Sequence, residues 1–574
     1  VNVWDGSERH TVMDVRMPGY IPIEFTRIYD SSVDYDSAVG YGWAHGYDMR
    51  VFRYPDGSVM LRRTCGGRRL FVFSGSGYVS PPGEFRNTLL ENGDGTLTLL
   101  EASGTEYRFD LKGRLERIQD VHGNRLELEY DPAGRLPTRG ASRFSRDPNA
   151  VGVVALDYRL TRVRERDALG VPTGREITLS YDSGTGRLRE VQDHTGRAWD
   201  YAHDARGNLI SVTDPLSNAH TYGYADPNDF HNLTSVNEGP TAFTLVYDAM
   251  DRVTRQTMSS GTVLDIVYNV PLTRTTVTTT VKDPNGTAIR TGVNVYEFNS
   301  FGNPTKLTDA LGNEFTYTRD AEGSTTVKEV RQNVPGTGLV LVKTVGLTYD
   351  AAGNVLEETH TNVATGEVVT KTFTYDHASV ATMRTTSSLD PNVVHGSDYV
   401  YAHNARGYPT TLTQERRIVS GGGTPTPTFF DIDYAYDATG QITQVTYPNG
   451  DTDTYAYTNG LATGMNGDTF TRDARGNILT RTDRNGNTWT YTYDALNRIL
   501  TAEDPTGAST LATYTGLLMT QLEVGKTAGA PGRVHLMTYD AAGRLARLQR
   551  QRGPGPVTIQ TFTRDSEGNA LTVT

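Results

Sequence analysis

One phrase recurs along this chain, and it limits the fold more than any other feature. It reads YDPAGRL at 130–136, YDAMDRV at 247–253, YDAAGNV at 349–355, YDATGQI at 436–442, YDALNRI at 493–499 and YDAAGRL at 539–545. Its tyrosines are Tyr130, Tyr247, Tyr349, Tyr436, Tyr493 and Tyr539; its aspartates are Asp131, Asp248, Asp350, Asp437, Asp494 and Asp540. A variant, RDARGNI, supplies Asp473 and Gly476. The fourth position of the other copies holds Gly134, Gly353, Gly440 and Gly543, or the stand-ins Asn497 and Asp251. A looser DxxGN phrase lies between copies, at Asp120, Asp309 and Asp483. Asp110 to Asp131 is 21 residues, and so is Asp473 to Asp494. A fixed short period of this kind marks a repeat array.

The phrase has a turn's chemistry. Asp first and Gly fourth suit a type I turn, with the carboxylate capping turn amides and the Gly taking positive φ. Asn and Asp are the residues that best tolerate that region, which explains the stand-ins. Between turns the residues alternate. Leu126, Leu128 and Tyr130 share one face and Arg125, Glu127 and Glu129 the other; Trp489, Tyr491 and Tyr493 oppose Thr488, Thr490 and Thr492. Period two with aromatic and β-branched residues predicts strands. Each repeat is therefore a hairpin, stabilised mainly by its neighbours. The expected fold class is all-β: tandem hairpins in one continuous sheet. Breaks in the period predict surface loops near 137–152, 420–428 and 549–556 within an array over 109–574, preceded by a β module over 1–108.

Composition narrows the function. No basic block tracks a phosphate backbone and the net charge is −12, so nucleic acid is not an expected partner. Arginine outnumbers lysine 48 to 7, which reads as base composition of the coding sequence. Cys65 is the single cysteine, so no disulfide is expected. No apolar run is long enough to span a membrane, and no leader is visible at Val1, so the chain reads as a piece of a longer product.

Catalytic constellations are missing. There is no HExxH, CxxC, phosphate-binding GxxxxGK[ST] or GxSxG. His194, His203, His220 and His231 lack ligand spacing, so no metal or cofactor is expected. Asp431 with Asp433, and Asp451 with Asp453, put carboxylate pairs on one strand face; a solvated face is the simpler reading. Cys65 between Arg62, Arg63, Arg68 and Arg69 has the surroundings of a reactive thiol but no partner base beside it. The sequons at Asn232 and Asn285 would matter only in a eukaryotic secretory setting. The aromatic rows read as packing between hairpins, with glycan stacking the alternative.

The YDxxGRL and DxxGN phrases resemble the YD repeats of bacterial Rhs proteins, of insecticidal toxin-complex shell subunits and of animal teneurins, over nearly all of 109–574. The stretches PIEFTRIYD at 22–30 and GYGWAHGYD at 40–48 resemble the β module that precedes such repeats. The resemblance implies that this sheet spirals into a hollow or partial shell, the non-catalytic shell of a secreted or cell-surface bacterial protein, enclosing a toxin-like cargo carried in cis. A neighbouring chain could instead cover open sheet edges. The self-cleavage segment of the DPxGL kind that ends Rhs shells is absent here. The alternative is a surface adhesion or structural repeat protein.

Overall fold

A computed structural model describes all residues except 18–20, 34, 65–66, 82–85, 136–157, 216, 239–240, 260, 283–287, 377–378, 389–397, 405–407, 419–425, 438–440, 459–460, 474–476, 495–497, 516–517, 540–544, 553–554, 565–569 and 574. Among the described residues the chain is all-β; the helical exception is one 3-10 turn, Val270–Leu272. Forty described strands, from Thr88–Glu91 to Ala570–Val573, follow one another in chain order in a single open sheet. The pairings along it are antiparallel, as hairpins joined end to end require. Three smaller sheets come first, holding Arg9–Met17 with Ile23–Asp30 and Trp43–His45, then Asp36–Ser37 with Gly40–Tyr41, and Arg50–Arg53 through Tyr78–Val79.

Two compact units are distinguished. One comprises Val1–Leu209, Tyr268–Thr275 and Asn294–Asp453; the other comprises Ile210–Val267, Thr276–Val293 and Thr454–Thr574. In the first, Trp43, Phe25, Phe71, Leu99, Phe109 and Leu126 are among the residues buried almost completely. In the second, Val212, Leu233, Leu245 and Val253 form the core. Alternation places these residues. Leu126 and Leu128 are buried while Glu129, on the opposite face, is exposed and pairs across strands with Arg162 and Arg164. In Thr488–Tyr493 the threonines are exposed and the three rings half-buried.

Strand pairing is described beside two of the expected loops, while residues 419–425 and 553–554 lie outside the described residues. Arg416 to Ile418 pair with Thr428 to Thr426, and Gln549 to Arg552 pair with Thr558 to Gly555. Extended backbone tolerates the flanking Pro and Thr residues. The expected loop near 137–152, Cys65 and Asn285 lie outside the described residues.

Candidate functional site: the tyrosine–aspartate turn lattice

The turn is a type I turn closed by a left-handed residue, and it is built the same way in both units. At Asp350 the carbonyl accepts from the Gly353 N–H at 3.1 Å, and the Asp350 N–H donates to the Asn354 carbonyl at 3.0 Å. Gly353 has φ +92, and Asp251, the stand-in, has φ +59. The strand register slips by one at each such turn, as between Thr348 and Tyr349, because the left-handed residue adds a bulge.

The aspartate holds the fifth residue of the motif, a contact that the sequence reading passed over. Asp350 Oδ1 accepts from the Asn354 N–H at 2.8 Å and its Oδ2 from Asn354 Nδ2 at 2.9 Å. Asp473 holds Asn477 in the same way at 2.8 Å for each bond. Where the fifth residue is arginine, its Nε replaces the amide: Arg252 to Asp248 at 2.9 Å, and Arg498 to Asp494 at 2.7 Å. Asp437 accepts from the Gln441 N–H at 3.0 Å. The clue was present, since the fifth position repeats as Arg, Asn or Gln.

The tyrosine reaches backwards to the preceding repeat. Its hydroxyl donates to a backbone carbonyl near the start of an earlier strand: Tyr349 to Thr325 at 2.7 Å, Tyr375 to Val355 at 2.8 Å and Tyr436 to Pro409 at 2.6 Å. In the second unit Tyr247 donates to Leu233, Tyr493 to Ile478 and Tyr539 to Met519, at 2.9, 2.9 and 2.6 Å. Arginines complete the link. Arg498 bonds Asp494 and lies 4.0 Å over the Tyr514 ring; Arg114 bonds Asp110 and lies 4.7 Å over Tyr130. Lysine cannot fork onto a carboxylate and stack at once, so the arginine excess has structural uses at these turns.

The motif at Tyr130 departs from the others. Asp131 and Gly134 stay inside the strand Arg125–Arg135, where a turn was expected, and Asp131 pairs with Arg159 at 3.4 Å. Tyr130 still donates to the Leu115 carbonyl at 2.7 Å. Gly440, Gly476, Asn497, Asp540 and Gly543 lie outside the described residues.

The remaining sequence candidates do not converge. Asp433 accepts from Thr411 and Asp453 from Tyr447, so each carboxylate serves its own strand neighbour. Among the described residues no three His, Cys, Asp or Glu side chains are placed to hold a metal ion. No described helix is long and apolar enough to cross a membrane, which leaves strand-based crossing aside. The Asn232 sequon is buried; its Nδ2 donates to Asp226 at 2.9 Å and to Asp251 at 3.0 Å, so a glycan could not be attached in the folded state.

Three expected results follow from this geometry. Gly353→Val forces a β-branched residue into positive φ with its Cβ against the Arg86 side chain, and is expected to cost about 1–2 kcal/mol. Equilibrium urea unfolding measures it. Tyr493→Phe removes one hydroxyl bond and is expected to cost about 1 kcal/mol without altering the β circular dichroism. The pH profile is the third. Burial alone would raise the Asp248 and Asp350 carboxyls, but the Arg252 guanidinium, the Asn354 amide and the turn N–H groups hold both below the usual range. Burial pushes the Tyr349, Tyr436, Tyr493 and Tyr539 hydroxyls up. The aspartate contribution is therefore present above the ordinary carboxylate pKa of about 4 and lost as pH falls through the folded value. The tyrosine contribution is present below about pH 10 and lost above it. Melting temperature should show a plateau between these limits.

Comparison with known proteins agrees with this lattice. Residues 173–335 match the family model Teneurin YD-shell, residues 472–509 match RHS Repeat, and residues 1–71 match a domain of unknown function (DUF6531). Toxin protein Tse5 of Pseudomonas aeruginosa is 26% identical over 181 residues, 31% of this chain and 10% of that protein. Teneurin-m of Drosophila melanogaster is 27% identical over 103 residues, 18% of this chain and 3% of that protein. The Tc holotoxin pore of Photorhabdus luminescens aligns over 98% of this chain and 35% of its own, with a TM-score of 0.37 and 13% identity. The crystal structure of TcdB2-TccC3 aligns with a TM-score of 0.36 at the same identity and coverage. With its repeated Tyr–Asp turns and these sequence matches, the chain carries repeats of the YD/Rhs kind.

Proposed function

We propose that this chain is a stretch of wall in a secreted bacterial YD/Rhs-repeat protein, curled around a polypeptide cargo and without catalytic activity of its own. The observation that carries the reading is the sheet itself: forty described strands in unbroken chain order, with hairpins tied to earlier ones by tyrosine hydroxyls such as that of Tyr493 and linked by arginines such as Arg498. A twisted strip of that many strands has to curl, and curling gives it an enclosed side. On the face opposite the aromatic rows, cross-strand hydroxyl pairs such as Thr471–Thr480 and Thr492–Thr501 satisfy one another, which suits an enclosed surface that does not cling to its contents. The cargo would be carried in cis, with a neighbouring chain covering an open edge as the other arrangement.

The rival reading, adhesion through stacked rings, needs open aromatic faces. Arg481 lies 5.2 Å over Trp489 and Arg472 5.8 Å over Phe470, so these rings are already covered. The test uses the full-length product, with the cargo's protease half-life measured inside it and as a free segment. Encapsulation predicts a long-lived cargo in the intact product; equal half-lives would leave the surface-protein reading in front.

A further inference from the structure

Within Val1–Leu209 the N-terminal strands close against the repeat hairpin that follows Arg187, and histidines are built into that junction. The Leu188 N–H donates to the Ala38 carbonyl at 2.7 Å, and the Tyr41 N–H donates to the Gly207 carbonyl at 3.2 Å. Arg187 reaches both Asp36 and the Ser37 carbonyl. His203 Nε2 donates to the Val39 carbonyl at 2.7 Å. His194 Nδ1 lies 3.1 Å from the Met17 sulfur, and Tyr201 donates to Asp14 at 2.6 Å. His45, beneath the same strands, accepts the Tyr47 N–H on Nδ1 at 3.2 Å and packs on Phe25, which meets Tyr201 edge-on.

We propose that this junction is an acid-opened latch: protonation of His203, His194 and His45 at about pH 5 releases the N-terminal strands from hairpin 188–209 while the repeat strip stays folded. The reason is the company these rings keep. His203 is flanked by Arg187, whose charge opposes a second cation, with Asp36 and Asp204 as the acidic groups nearby. His194 faces Arg175 and Arg197 against Asp193 and Glu176. His45 faces Arg50 and Arg62 against Asp48, and Asp48 is already bonded by Arg62 at 2.7 Å and by Tyr35 at 2.7 Å. Protonating His45 also removes the acceptor for the Tyr47 N–H.

Burial is the main force holding all three histidines below 6.5, His203 down to about 4. A histidine kept neutral in the closed form supports closure fully above its free value, and that support is lost as pH falls toward the closed-form value. Across that window each site weakens closure by up to roughly tenfold per pH unit. Neighbouring N–H donors hold the Asp248 and Asp350 carboxyls below their ordinary value, so these two turns outlast the latch.

The experiment is hydrogen–deuterium exchange on the whole chain at pH 7.5 and 5.0, corrected for intrinsic rates and read on peptides covering 36–48 and 188–206. The latch predicts protection at the higher pH and loss of it at the lower, with the far-UV β signal unchanged. His203→Gln keeps a neutral N–H toward Val39 and should move the opening midpoint to lower pH. Exchange of the histidine C2 hydrogens in the unaltered protein reads the same titration without a variant, and should place His203 well below 6.5. Continued protection at pH 5.0, opening only together with loss of the β signal, or a His203 titration at its ordinary value would overturn the proposal.

Discussion

Asp14→Ala is expected to destabilise the unit that contains it by about 3–5 kcal/mol, the largest single effect in the chain. Arg27 is completely buried, and Asp14 holds it by bonds of 2.6 and 2.8 Å. The guanidinium also lies 5.3 Å over Trp43 and 5.9 Å over Tyr201, and Tyr201 donates to the same Asp14 carboxylate. Deleting the carboxylate removes both Asp14 bonds from a fully buried cation and the Asp14 bond from Tyr201. Replacing both charged residues, as in Asp14→Leu with Arg27→Met, should recover most of the loss, because the price of a buried ion pair falls mainly on the half-pair. Chemical denaturation of both variants measures the difference. A single variant as stable as the double would show that Arg27 finds water or another partner.

Gly113→Val is expected to cost about 3 kcal/mol or more, combining the penalty of a β-branched residue at positive φ with overpacking. Gly113 has φ +75, and a Cβ built on it would collide with the Val51 carbonyl oxygen. That oxygen belongs to backbone, so it cannot rotate away. The Val51 N–H donates to the Gly113 carbonyl at 3.0 Å, so the glycine is where the strand Arg50–Arg53 of the N-terminal sheets docks onto the first repeat turns. Gly486 provides the contrast: it has similar φ and open space around its Cβ position, so Gly486→Ala should show backbone strain alone. Thermal melts of the two variants side by side separate the clash from the strain.

What the sequence discloses here is local. The turn at Asp350, the positive φ at Gly353 and Asp251, and the alternation of Leu126 and Leu128 against Glu129 depend on residues a few positions apart, so motif and period suffice to read them. The tyrosine hydroxyl is harder, because its acceptor lies 15 residues back for Tyr493 and 27 back for Tyr436. No fixed spacing announces it. The arginine excess looked like base composition because an arginine's use depends on which aspartate and which ring stand beside it; Arg498 between Asp494 and Tyr514 shows this. The junction of the N-terminal strands was the least legible part. Asp14 and Tyr201 are 187 residues apart, and nothing in PIEFTRIYD indicates that its arginine would be sealed beneath a ring from a later hairpin.

Electron cryomicroscopy of the full-length product tests the central claim most directly. The account predicts that the repeat strip appears as a curled wall one sheet thick, with polypeptide density belonging to the cargo inside it. A strip that is extended or open, with the remaining polypeptide outside it, would contradict the wall reading.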